Sequence, residues 1–148
     1  MKAFQIVTIE REYASGGTQV GRLLGKALGV PVYGREILEI AAQESGTTPE
    51  YIEQLEETDT NSLLYSLVAM GKTSLGQLPE ISRTDQLNVL EGEIIQRLAQ
   101  QGPCVLVGRC AGWVLRERDG YHLVLDSGLL GAEFCAKILE DVVLRSRG

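Results

Sequence analysis

Apolar positions along this chain switch repeatedly between short strand-like runs and helical stripes. Phe4 to Ile9 (FQIVTI) is short and rich in β-formers, and predicts a strand. A polar, glycine-bearing break from Glu10 to Gly17 follows. Val20, Leu23, Leu24, Ala27 and Leu28 then recur at i, i+3, i+4, i+7 and i+8, which predicts a helix closed by Gly29. Val30 to Tyr33 predicts a second strand, kept to an edge or a strand start by Pro31. Ile37, Leu38, Ala41 and Ala42 predict a helix ending near Gly46, and Thr47-Thr48-Pro49-Glu50 has the makeup of another helix start. From Tyr51 to Leu78 the pattern is poorly periodic, as for short helices and mobile turns. The clearest helix opens at Ser82 and carries Leu87, Leu90, Ile94, Ile95 and Leu98 before Gly102-Pro103. Cys104 to Val107 (CVLV) is unbroken apolar, as a strand buried on both faces would be. An apolar helix with Trp113, Val114 and Leu115, a last strand from Tyr121 to Leu125, and a C-terminal helix marked by Leu130, Phe134, Ile138 and Val142 complete the order.

Strands alternating with helices imply an α/β fold, a parallel sheet covered on both faces. Ligands in such folds bind at the carboxyl ends of the strands. Residues 10–18, 34–36 and 108–110 are therefore the places to look for chemistry.

Composition narrows the function classes. At 148 residues, with 44% hydrophobic and 23% charged residues, the chain suits one globular domain with a real core. Fourteen Lys and Arg against 20 Asp and Glu give a net charge of −6, which argues against a broad nucleic-acid surface. No apolar run exceeds four residues, so no membrane partner is expected. The N-terminus shows no signal-peptide pattern, and a cytoplasmic location with reduced thiols is the expectation. Three cysteines without CxxC spacing and a single histidine, His122, make a protein-held metal site improbable. The cysteines read as core residues, His122 as a structural or surface imidazole, and Glu53 to Glu57 as a solvated helix face.

A strand, then Ser15-Gly16-Gly17, then a helix is a layout in which backbone N–H groups can cradle phosphate. Ser15 and Thr18 would add hydroxyls and Arg11 a charge. The same residues also suit a tight turn with Ser15 capping the helix. The full pattern GxxxxGK[ST] is not met, because its lysine is missing. Arg109, after the buried strand, suits a bidentate phosphate contact or equally a salt bridge. Arg35 has the same two readings, with the salt bridge favoured. Gly16-Gly17-xxx-Gly21 superficially suits a dinucleotide fold, but Gly34-Arg35 stands where an acidic residue would follow the second strand.

Three separated stretches, in order, resemble the cytidylate kinase-like family: Ile6 to Gly17 (IVTIEREYASGG), Gly29 to Tyr33 (GVPVY) with Arg35-Glu36, and Gly102 to Ala111 (GPCVLVGRCA). Tyr121 to Val143 resembles the family's last strand and helix. The resemblance implies a three-layer α/β/α P-loop fold with a short parallel sheet. It would form a single domain over 1–148, with a helical insertion at about 36–101 over the acceptor. It further implies ATP phosphates bound around Arg11, Ser15, Gly16, Gly17 and Thr18, and an acceptor phosphate held by Arg109 with Arg35 as a second candidate. Magnesium would arrive with ATP. In this correspondence the P-loop lysine position falls on Gly17 and the magnesium-binding threonine on Gln19. The family's extra strand and arginine-bearing lid are absent near Asp119-Gly120-Tyr121, leaving four expected strands. Two activities follow as expectations: phosphoryl transfer from ATP to a nucleoside monophosphate, or a nucleotide-binding or assembly module without turnover. An edge exposed by the missing strand would suit pairing with a second copy as a homodimer.

Overall fold

A computed structural model describes residues 6–12, 14–58, 83–118 and 123–146. The elements are β1 (Ile6–Ile9), α1 (Gly17–Leu28), β2 (Val32–Tyr33), α2 (Arg35–Ser45), α3 (Pro49–Thr58), α4 (Arg83–Gln101), β3 (Cys104–Val107), α5 (Ala111–Val114), α6 (Ser127–Leu130) and α7 (Ala132–Ser146). The fold is mixed α/β, with a parallel sheet in the order β1-β3-β2. Ile6 lies opposite Cys104 and Ile9 opposite Val107, while Val32 and Tyr33 face Val105 and Leu106. All four residues of β3 are buried, as the unbroken CVLV run requires of a central strand.

The chain divides into two compact units, Met1–Gly34 with Ile95–Gly148, and Arg35–Ile94. In the second unit, α2 and α3 bury Ile37, Leu38, Ala41, Ala42 and Ile52. Gly46 ends α2 at φ 69°, and the Thr48 hydroxyl accepts from the Tyr51 N–H at 3.3 Å just ahead of Pro49. The irregular stretch from 59 to 82, with Ser82 itself, lies outside the described residues.

In the first unit α1 sits on the sheet through glycine. A Cβ at Gly21 would stand 2.6 Å from Val107 Cγ2, and one at Gly25 would collide with Val32 Cγ2. Glycine at these positions admits the helix to a distance no larger residue permits. Leu24 beside them packs with Val105 and Val107, and Val7, Ile9, Leu28, Val30 and Val32 complete that cluster. On its other side Val20 packs with Cys135 and Ala136 of α7, joined by Leu23, Leu125, Leu130 and Leu139. Gly21 therefore serves helix packing, and this is the physical reason the glycine spacing superficially resembles a dinucleotide turn.

Three sequence expectations change. Residues 123–126 form no strand, and among the described residues the sheet has three strands rather than four. Leu125 still reaches the core from this irregular segment, so its apolar character is explained without a strand. The Trp113 helix is a single turn. The C-terminal helix has the expected period in the wrong phase. Gly131, at φ 79°, separates α6 from α7, and the buried face of α7 is Cys135, Ala136 and Val143, while Phe134 is exposed. Tyr121 and His122 lie outside the described residues. No helix among the described residues is long and apolar enough to cross a membrane.

Alanine for glycine inside a helix ordinarily stabilises by about 1 kcal/mol. Here Gly21→Ala is expected to destabilise by about 1–3 kcal/mol in a denaturant titration, since overpacking against Val107 outweighs propensity. A stabilised variant would contradict the close seat of α1.

Candidate functional site

The carboxyl ends of β1 and β3 lie side by side, tied by the Gly108 N–H donating to the Ile9 carbonyl at 2.9 Å. The two turns that leave them are thus brought together by the sheet register itself. Both turns bend through left-handed backbone. In the first, Ala14 (φ 58°) and Gly16 (φ 80°) flank Ser15, an alternation of hand of the kind that builds anion-binding concavities. In the second, Gly108 (φ 73°), Arg109 (φ 58°) and Cys110 (φ 54°) are left-handed in succession. Two of these carry side chains, at about 1–2 kcal/mol each.

Gly16, not Ser15, is the N-cap residue of α1, and among the described residues no side chain caps this end. The helix thus presents its first-turn amides without a built-in acceptor, and its dipole favours an anion there. The Ser15 carbonyl accepts from the Ser127 hydroxyl at 2.5 Å, which anchors the turn to the start of α6. Asp126 caps that short helix by accepting from the Leu129 N–H at 3.0 Å.

Arg11 joins the two turns. Its Nε donates to Thr18 Oγ1 at 3.1 Å. Its aliphatic stem lies on Gly17, where an added Cβ would stand 2.6 Å from Arg11 Cβ. Its guanidinium lies over Gly108, where an added Cβ would meet Nη1 at 2.9 Å. Two glycines from separate turns make room for one arginine. Arg11 is nevertheless solvent-exposed, so its charge is available to a ligand. Arg109 follows directly, half-buried in the strained turn.

Glu10 supports the second turn from below: its Oε1 accepts from the Gly112 N–H at 3.1 Å, in the first turn of α5. Trp113 is half-exposed on this helix, with the Arg116 guanidinium 4.2 Å from its ring centroid. Cys104 and Cys135 are buried and Cys110 is half-buried, none of them in a disulfide. Burial pushes the Cys104 thiol up, with the Arg118 charge opposing, so it stays a core thiol.

Of the residues the sequence singles out, the structure gathers Arg11, Gly16, Gly17 and Thr18 at one helix end, with Ser15 in the turn before it and Arg109 on the neighbouring turn. Arg35 behaves differently. It donates to Glu53 Oε1 at 3.0 Å within the second unit, which is the salt-bridge alternative, and a phosphate there would compete with a carboxylate. The Arg11–Gly108 approach, the Glu10 prop and the Ser127 anchor were not legible beforehand. Ser127 is 112 residues from Ser15, and nothing local marks the pairing.

A model of the cytidylate kinase-like family matches residues 6–128, a span that contains both turns. No curated protein matches the chain.

The strained turn makes a stability prediction. Arg109→Gly is expected to be more stable than Arg109→Ala by about 1 kcal/mol, because both lose the side chain's contacts and only glycine adopts the left-handed region without penalty. Equal stability of the two variants would mean the turn is not under strain.

Proposed function

The chain belongs to the cytidylate kinase-like family, and from that premise we propose that it binds ATP phosphates at the β1–α1 turn and passes a phosphoryl group to a nucleoside monophosphate held by Arg109. The observation that carries this reading is the single arginine, Arg11, lodged between the uncapped start of α1 and the Gly108–Arg109 turn. Phosphoryl transfer asks for positioning and for cations around the transferred group rather than for a covalent intermediate. Arg11 and Arg109, on the turns that leave two adjacent strands, would supply charge, and the amides of α1 oriented dipoles. Thr18, while accepting from Arg11, keeps its own hydroxyl proton for a phosphate oxygen.

Magnesium would come with the nucleotide. In the correspondence with cytidylate kinases the magnesium-binding threonine position holds Gln19, an exposed amide, whereas the pattern GxxxxGK[ST] counted from Gly17 puts its hydroxyl on Thr18.

A second reading is nucleotide binding without turnover. It is favoured by one specific feature: Gly17 has no side chain to bridge the transferred phosphate.

The test is a product assay with magnesium, ATP and each of CMP, UMP, AMP and GMP, run beside a binding titration followed through Trp113, the sole tryptophan. Phosphorylation of a monophosphate, lowered about tenfold or more by Arg109→Ala, is the expected result. Saturable binding without product would select the second reading. Neither binding nor product would end both.

A further inference from the structure

We propose that Arg11 takes the place of the missing P-loop lysine, delivering from the end of β1 the cation that the pattern otherwise carries on the first turn of the helix. The proposal rests on the phosphate site at the β1–α1 turn and adds which residue charges it. Its ground is a steric exclusion. A side chain at position 17 would need the space already filled by Arg11, since an added Cβ there falls 2.6 Å from Arg11 Cβ, 2.7 Å from Cδ and 3.2 Å from Cγ. Position 17 is buried, so a side chain there has no open side to turn toward. A lysine at 17 and the observed Arg11 are therefore alternatives for one volume.

The arginine is also held as a ligand-facing group would be. The Nε–H bond to Thr18 Oγ1 fixes the stem across the helix start, at 3.1 Å. That bond uses one of the five guanidinium donors, and the terminal nitrogens extend beyond it over Gly108. Gly108 is left-handed and buried, and any larger residue would push the guanidinium off this seat. The charge thus reaches from the start of α1 to the second turn. Arginine further differs from lysine in offering a planar, bidentate fork to phosphate oxygens.

The decisive experiment is a calorimetric titration with magnesium-ATP of wild type, Arg11→Met, Arg11→Gly, Gly17→Lys and the double variant Arg11→Gly with Gly17→Lys, with a melting curve for each. Arg11→Met keeps an aliphatic stem over Gly17 and removes the charge. It is expected to fold and to bind at least about tenfold more weakly, the scale of one lost charge-assisted contact. Gly17→Lys alone is expected to melt lower and to bind no tighter than wild type, because the two side chains collide. In the double variant, with no Cβ left at position 11, the lysine occupies the vacated volume, and affinity is expected to return from the Arg11→Gly level to within about threefold of wild type. The proposal is overturned if Arg11→Met binds within about twofold of wild type, if the double variant stays as weak as Arg11→Gly, or if Gly17→Lys alone binds tighter. Arg11→Met decides the matter by itself should neither lysine variant fold. A wild type that takes up no magnesium-ATP would instead remove the phosphate site, and this assignment with it.

Discussion

Everything at the functional end of this protein hangs on how closely α1 lies against the sheet and its turns. Three glycines spaced four residues apart, Gly17, Gly21 and Gly25, point the same face of the helix at Arg11, Val107 and Val32 in turn. Each costs about 1 kcal/mol in helix propensity relative to alanine. The loss is offset by the packing that the short distance allows, with Leu24 and Val105 sealed between helix and strand. The seat of Gly17 and the seat of Gly21 are one arrangement. A helix lifted off Val107 would also lift its first turn off Arg11, and the arginine would lose the surface that orients it.

The second turn works by a different economy of forces. Arg109 and Cys110 stand in left-handed backbone that side-chain-bearing residues seldom adopt. The surrounding contacts hold them there: Gly108 bonded back to Ile9, Ala111 N–H bonded to the Gly108 carbonyl at 3.1 Å, and the Glu10 carboxylate on the Gly112 amide. Strain kept in place by neighbours is characteristic of binding and catalytic positions. It sets Arg109 half-buried on the residue after Gly108, over which the Arg11 guanidinium lies, in a chain whose net charge is −6.

Much of this was legible in the residues. The order of strands and helices follows from periodicity, and the burial of β3 from CVLV alone. Gly29 and Gly46 closing their helices follow from the left-handed caps helices prefer. The phosphate-type turn was visible as strand, Ser-Gly-Gly, helix. What was not legible depends on contacts distant in sequence. Leu123, Val124 and Leu125 have the composition of a strand, yet Val124 is fully exposed and only Leu125 joins the core. Strand propensity describes what fits a pleated surface, and among the described residues no neighbouring strand is supplied. The phase of α7 was misread because Phe134 outweighs Cys135 and Ala136 in size, whereas it is the smaller pair that packs with Val20 of α1. Gly17 read as a defect in a lysine pattern, and only the path of Arg11 shows that the space is filled.

The central claim is that the β1–α1 turn and the β3–α5 turn form one phosphate site around Arg11. The most direct measurement is a nuclear magnetic resonance titration of isotope-labelled protein with magnesium-ATP, following backbone amides and the arginine Nε–H signals. The account predicts that the amides of residues 16–18 and 108–110 and the Arg11 Nε–H shift together along one saturation curve. Shifts confined to one turn, or an Arg11 signal that does not move, would contradict it.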